Sequence, residues 1–256
     1  MHPDDARMTI GEHLEELRRR LIVGLVAVAV AFAGCWVFKE DLFRLVTGPH
    51  RVAMRRLGVQ GPESRLTQLT YVEGFFSYCK VCLVASLLVG GPFLLWQFWK
   101  FVSAGLYEHE RRHVVRWVPS SIVLFAAGVA FGYFVLIPTG FTYLAGVELE
   151  GVELSIRLEG YLNIFLLLTF ALGAIFQLPL LMLVLARIGL FTPAGYRSKR
   201  KLFILLAFVA AALVTPGPDP SAQVLLAIPM IGLYELGILF AAAAYRARRT
   251  AEATAA

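Results

Sequence analysis

The strongest constraint on this chain is its long apolar runs. Leu21–Phe38 holds no Asp, Glu, Lys or Arg. A helix lying against water keeps one polar face at a period of 3.6 residues, and a run that is apolar on every side has none to offer. Comparable runs fall at about 75–99, 114–137, 162–188, 202–214 and 222–244. Of the 256 residues 58% are hydrophobic and only 16% charged, with a mean hydropathy of +0.69. A soluble domain carries about a quarter charged residues. The expected fold is an all-α membrane protein: one polytopic domain over residues 1–256, six transmembrane helices, the last two short.

Prolines punctuate the runs. Pro92, Pro179 and Pro229 should break or kink the second, fourth and sixth spans, and the third should end before Pro138. At about 1.5 Å per residue the fifth run reaches roughly 20 Å, against a hydrocarbon core of about 30 Å. Thr215-Pro216-Gly217-Pro218-Asp219-Pro220 follows it. Residues 202–240 therefore form either one re-entrant hairpin or two short spans that thin the bilayer, and the second reading is preferred because 222–244 alone is long enough to cross. No small-residue cleavage site follows the first run, which reads as a retained span. Cys35, Cys79 and Cys82 lie in or beside apolar runs and read as packing residues, since no second pair or nearby His completes a zinc site.

The net charge of +6 does not point to nucleic acid, because the basic residues cluster between apolar runs. There they set orientation. With six spans both termini share a side, and that side collects sixteen of the 24 Lys and Arg residues. This places the termini in the cytoplasm. The first loop on the other side runs against the rule: it carries Lys39, Arg44, Arg51, Arg55, Arg56 and Arg65.

Three groups of polar residues stand out. In His13-Leu14-Glu15-Glu16-Leu17-Arg18-Arg19-Arg20-Leu21 the leucines form one helical stripe, so the segment reads as an amphipathic lead-in at the membrane surface. Glu16 and Arg20 lie four apart on one face, and taken alone they are an ordinary surface ion pair. In Tyr107-Glu108-His109-Glu110-Arg111-Arg112 two acids stand in a loop that orientation wants basic. Glu73 and Lys80 flank the start of the second span, positioned to pair. No Ser/His/Asp set, phosphate-binding glycine loop or HExxH is present, so the chain does not read as an enzyme and no cofactor is expected.

Taken in order, these segments resemble a family. His13-x-x-Glu16-Leu17-Arg18-x-Arg20-Leu21, Pro92-x-x-x-x-Gln97-x-Trp99-x-Phe101 and Leu106-Tyr107-x-x-Glu110-Arg111-Arg112 look like TatC, the large subunit of the twin-arginine protein translocase. So do Leu124-Phe125-x-x-Gly128-x-x-Phe131-x-Tyr133-Phe134, Phe176-Gln177-x-Pro179, and Thr215-Pro216 with Asp219, Gln223 and Pro229 followed by Tyr234-Glu235. The resemblance covers roughly residues 8–245. It implies a receptor and core subunit that exports folded proteins across the cytoplasmic (inner) membrane on the proton-motive force. It further implies that Glu16 and Glu110 bind the paired arginines of a signal peptide, with His13, Arg18, Arg20 and Tyr107 around them. A planar guanidinium pairs bidentately with carboxylate, which suits two acids to two arginines. The partners it implies are twin-arginine signal peptides, small single-span subunits of the TatA/TatB type, and further copies of the chain. Gln177, where some relatives carry Glu, is expected to bond a partner helix, to hydrate a cavity, or simply to join two helices beside Pro179. Glu235, Asp219 and Gln223 are the other polar residues of the spans and their turns. Asp219 reads as a cap of the sixth span, and Glu235 as paired, snorkelling or functional. A secondary transporter of a small solute is the alternative, and it would require internal repeats that the sequence does not show.

Overall fold

The computed structural model describes residues 10–59, 64–104, 117–146, 155–214 and 220–255. Among them the only β pairing is an isolated parallel bridge between Thr67 and Arg157; everything else is helix and turn. Helix α1 spans Ile10–Val37, α2 Lys39–Val46, α3 Gly48–Arg56 and α4 Glu73–Ala104. The third span is a composite of α5 (Val118–Phe131), a π-helical turn (Gly132–Leu136) and α6 (Ile137–Ala145). Then come α7 (Leu158–Ile175), α8 (Leu178–Arg187), the short α9 (Pro193–Ser198), α10 (Arg200–Val214) and α11 (Pro220–Ala255). Five of these units are long and apolar enough to cross a membrane. The chain is a multi-pass membrane protein. Helix α10, with 15 residues, reaches about 22 Å at 1.5 Å per residue and is the short one.

The amphipathic lead-in continues into the first span as one unbroken helix of 28 residues. Two local outcomes differ from the sequence expectation. The third span does not stop at Pro138. Ile137 donates its amide to Gly132 O, a π-type bond that widens the turn just where Pro138 has no N–H to give, and the helix runs on to Ala145. Lys80 does not pair with Glu73. Its Nζ meets Glu159 Oε1 at 3.2 Å and Asn163 Oδ1 at 3.0 Å on α7. Glu73 is buried and accepts the amides of Leu69 (2.7 Å), Thr70 (3.3 Å) and Glu159 (3.2 Å). A buried carboxylate needs such partners, and here it caps the start of its own helix and of α7 together.

Of the three prolines, Pro179 does break its span. The ladder ends at Phe176, and Gln177 donates its amide to Ala174 in a tighter turn. Pro92 and Pro229 sit inside continuous helices.

The bundle packs through small residues, as helices in lipid do. A Cβ placed on Gly128 of α5 would lie 2.7 Å from the carbonyl oxygen of Leu172 on α7, so the two backbones touch there. Helix α11 lies close along α8: a Cβ on Gly237 would collide with Met182 Sδ and lie 3.3 Å from Pro179 Cα. Cys82 is buried, with its Sγ 3.6 Å from Cys35 O, and all three cysteines are free, Cys35 and Cys79 half-buried.

Beyond the Val37 end of α1, α2 and α3 form a small platform over the spans. Tyr133 Oη donates to Leu45 O at 2.8 Å and Tyr161 Oη to Val46 O at 2.6 Å. These carbonyls belong to the last turn of α2, where helix geometry leaves acceptors unfilled. The Thr67 bridge joins the same platform to the start of α7, with amide bonds of 2.9 and 3.0 Å.

Candidate signal-reading site and its relatives

The first turns of α1 turn their polar residues inward. Leu14 and Leu21 of the leucine stripe are 59% and 61% exposed, so the apolar edge faces away from the protein. His13, Glu16 and Arg20 occupy the opposite edge, against the last turns of α4. There Arg20 is held twice: Nη2 pairs with a Glu16 carboxylate oxygen and Nη1 donates to Gln97 Oε1 at 3.0 Å. The Glu16 and Arg20 side chains are each only 19% exposed, which makes this a sheltered pair rather than the surface pair that spacing alone suggests. His13 stacks on Phe101 with ring centroids 4.4 Å apart. One turn away Lys100 lies 4.2 Å over the Trp96 ring.

Among the described residues, His13 Nδ1 and Arg20 Nε are buried without a hydrogen-bond partner. Orphaned polar atoms are uncommon in a folded protein and mark a place where something else is bound or nearby. Arg18 is exposed on the outer side of α1 and does not join the cluster. Tyr107 and Glu110, the other half of the expected site, lie outside the described residues. Their segment leaves α4 at Ala104, just past Gln97 and Phe101. Gln97 stands in the second motif of the sequence, where the resemblance gives it no part in the site. Its spacing of four from Phe101 puts both on one face of α4, as the spacing of Glu16 and Arg20 does on α1.

The second polar centre is buried at the junction of α4, α5 and α7. Trp99 Nε1 donates to Ser121 Oγ at 2.9 Å, Ser121 Oγ to Gln177 Oε1 at 2.5 Å, and Gln177 Nε2 to Ser121 O at 3.1 Å. Gln177 thus acts as a helix–helix link beside the Pro179 break. Glu235 pairs with Arg200 at 2.6 Å, both side chains nearly half exposed, which joins the start of α10 to α11. Gln223 is half-buried on the first turn of α11, and Asp219 lies outside the described residues. Tyrosines secure the α9 turn: Tyr234 Oη donates to Tyr196 O at 2.8 Å and Tyr196 Oη to Met182 O at 3.3 Å. Burial, with help from Tyr234, pushes the Tyr196 hydroxyl up to about 12, so it stays a donor at any ordinary pH.

The profile of the family described as Sec-independent protein translocase protein (TatC) matches residues 12–229. The chain belongs to the TatC family. Similar TatC proteins occur in Desulforapulum autotrophicum, 38% identical over 93% of this chain and 86% of the relative, and in Escherichia coli K12, 39% identical over 89% and 86%. A crystal structure of the twin-arginine translocase receptor TatC superposes with a TM-score of 0.78 at 33% identity, covering 91% of this chain and 99% of that one. The TatC assignment agrees with the six ordered motifs and gives the small-solute transporter no support.

Proposed function

We propose that this TatC-family chain is the signal-peptide receptor and core subunit of a twin-arginine translocase, a transport component rather than an enzyme. In this reading it sits in the cytoplasmic membrane with both termini inside, and folded proteins cross on the proton-motive force. The observation that carries the site is the sheltered Glu16–Arg20–Gln97 arrangement beside the orphaned His13 Nδ1 and Arg20 Nε. Glu16 already holds one guanidinium. An incoming signal arginine takes the same carboxylate, while Gln97 retains Arg20 and keeps its charge from being stranded. Glu110 supplies the second carboxylate, as the family resemblance implies. Arginine fits better than lysine because only the guanidinium bonds a carboxylate bidentately.

The single-span subunits need another surface than Gln177, whose amide is spent on Ser121. The outward faces of α10 and α11, with Leu205, Val209 and Leu236 exposed, suit them.

The test is photocrosslinking of an Arg-Arg signal peptide to the full chain in native membranes. Glu16→Gln should reduce it by about tenfold, since bonds to charged groups are worth roughly 1.5–3 kcal/mol. Undiminished crosslinking and export in the Glu16→Gln/Glu110→Gln double variant would reject the site.

A further inference from the structure

The basic first loop, against the orientation rule and outside the signal site, has a structural setting that gives it a role. We propose that α2 and α3 bind an anionic glycerophospholipid of the leaflet opposite the termini, with its headgroup on Arg44 and Arg51 and one acyl chain in the groove beneath α2.

The groove has a volume of about 410 Å³. Leu45 of α2 roofs it, Val84 and Leu88 of α4 and Ala126 and Val129 of α5 form its walls, and Phe165 of α7 backs it. Two hydroxyls reach its lining, Tyr133 and Thr169, and both are spent on backbone carbonyls, Leu45 O and Phe165 O. Such a surface offers a ligand dispersion contacts and nothing polar.

Its depth selects the occupant. The lining runs from Phe134 in the π turn to Ile122 on α5 and from Val81 to Pro92 on α4, each about 16–18 Å at 1.5 Å per residue. That is half of a core about 30 Å thick. A partner helix must cross the whole core, whereas an acyl chain fills one leaflet.

The headgroup level is marked independently. Lys39 Nζ lies 5.0 Å over the Trp36 ring and 5.8 Å over Tyr78, an aromatic belt at the start of α2. Leu45, which lines the groove, is 56% exposed. At this level the guanidinium groups form a ladder. Arg51 Nη2 donates to Arg44 O at 2.7 Å, and Arg55 Nε to Arg51 O at 3.3 Å. Arg51 bonds the carbonyl of Arg44 and Tyr133 bonds that of Leu45, the next residue, which sets Arg51 close to the mouth of the groove. Within α2 and α3 the cations Lys39, Arg44, Arg51, Arg55 and Arg56 outnumber the two acids of these helices, Glu40 and Asp41. Asp41 lies 3.8 Å from Arg44, both side chains over 70% exposed, a loose pair that a phosphate can displace. The surplus positive charge favours an anionic over a zwitterionic headgroup.

The test is native mass spectrometry of the full chain released from nanodiscs holding equal phosphatidylglycerol and phosphatidylcholine with the same acyl chains. Phosphatidylglycerol should be retained in preference. Arg44→Gln/Arg51→Gln should cut that preference by about thirtyfold, the product of two surface cations lost. Ala126→Trp should lower retention of both lipids and leave their ratio unchanged. Excess inorganic phosphate should not strip the lipid, because the chain is held as well as the headgroup. An unaltered ratio in the arginine variant, unaltered retention in Ala126→Trp, or displacement by phosphate would each overturn the proposal. Signal-peptide crosslinking should survive in the arginine variant. This separates the lipid site from the receptor site and shows that the variant is folded.

Discussion

Ser121 does more than its size suggests. Its hydroxyl stands between Trp99 and Gln177 and its carbonyl takes the Gln177 amide, so one serine satisfies two larger polar groups from two other helices. Ser121→Ala leaves the Trp99 N–H and the Gln177 oxygen without their partner. Chemical or thermal unfolding in detergent should show a loss of about 1–2 kcal/mol, the range for polar contacts between membrane helices and for orphaned buried groups. Replacing Gln177 by Leu in the same chain removes the second orphan, and the double variant should recover part of the loss. A double variant less stable than the sum of the singles would refute this coupling. None of the three groups titrates near neutral pH, so the network holds over the whole physiological range.

At the scale of elements, the close contact of α5 with α7 sets the bundle. Gly128→Ala places a methyl group 2.7 Å from Leu172 O, and a backbone oxygen cannot swing aside as a side-chain tip does. The expected cost is about 1–3 kcal/mol, read as a lowered unfolding midpoint. Ala at the uncrowded Gly34 should be neutral. Element identity was legible because an apolar run of some twenty residues has few alternatives. The Pro179 break was legible because proline removes a helical donor. Pro138 misled for the same reason: a lost donor predicts an end, but the π turn at Gly132–Leu136 absorbs it, and no local pattern in that segment announces the extra residue. The pairing of Lys80 was hidden for a different reason. Glu73 is its neighbour in sequence, while Glu159 and Asn163 become neighbours only when α7 folds against α4. At the candidate site, His13, Glu16 and Arg20 share a face by spacing, yet spacing did not say whether that face or the leucine stripe turns inward. Packing against Gln97 and Phe101 decides it.

The molecule as a whole carries an ionisable group in its outer platform. His50 is buried in α3, its Nε2 2.9 Å from Ser64 O, with Tyr161 of α7 against its ring at 5.4 Å. Arg51 follows it on the same helix, and Arg157 lines the cavity beside it. Burial, aided by Arg51, lowers its pKa below the ordinary 6.5, while the Ser64 bond opposes the shift. Between the folded value and 6.5 the unfolded chain therefore binds more protons. The stabilising contribution is complete above pH 6.5 and lost as pH falls through the folded value. Melting in detergent at pH 7.5 and 5.5 should show lower stability in acid, and His50→Gln should flatten the difference; an equal slope in the variant rules the histidine out. Topology has a separate check. A cysteine at position 219 should react with an impermeant thiol reagent from the side opposite the termini, and reaction only from their own side would reject the six-span path.

Helix α1 touches the protein along one edge, chiefly α4, and has no proline along its length. Such a rod is a lever. Displacement at its Val37 end, beside the Trp36–Lys39 contact, is transmitted by continuous backbone bonds to Glu16 near the other end. In the proposed receptor, membrane thickness and bending would act mechanically on that carboxylate, with no proline hinge between them to take up the strain.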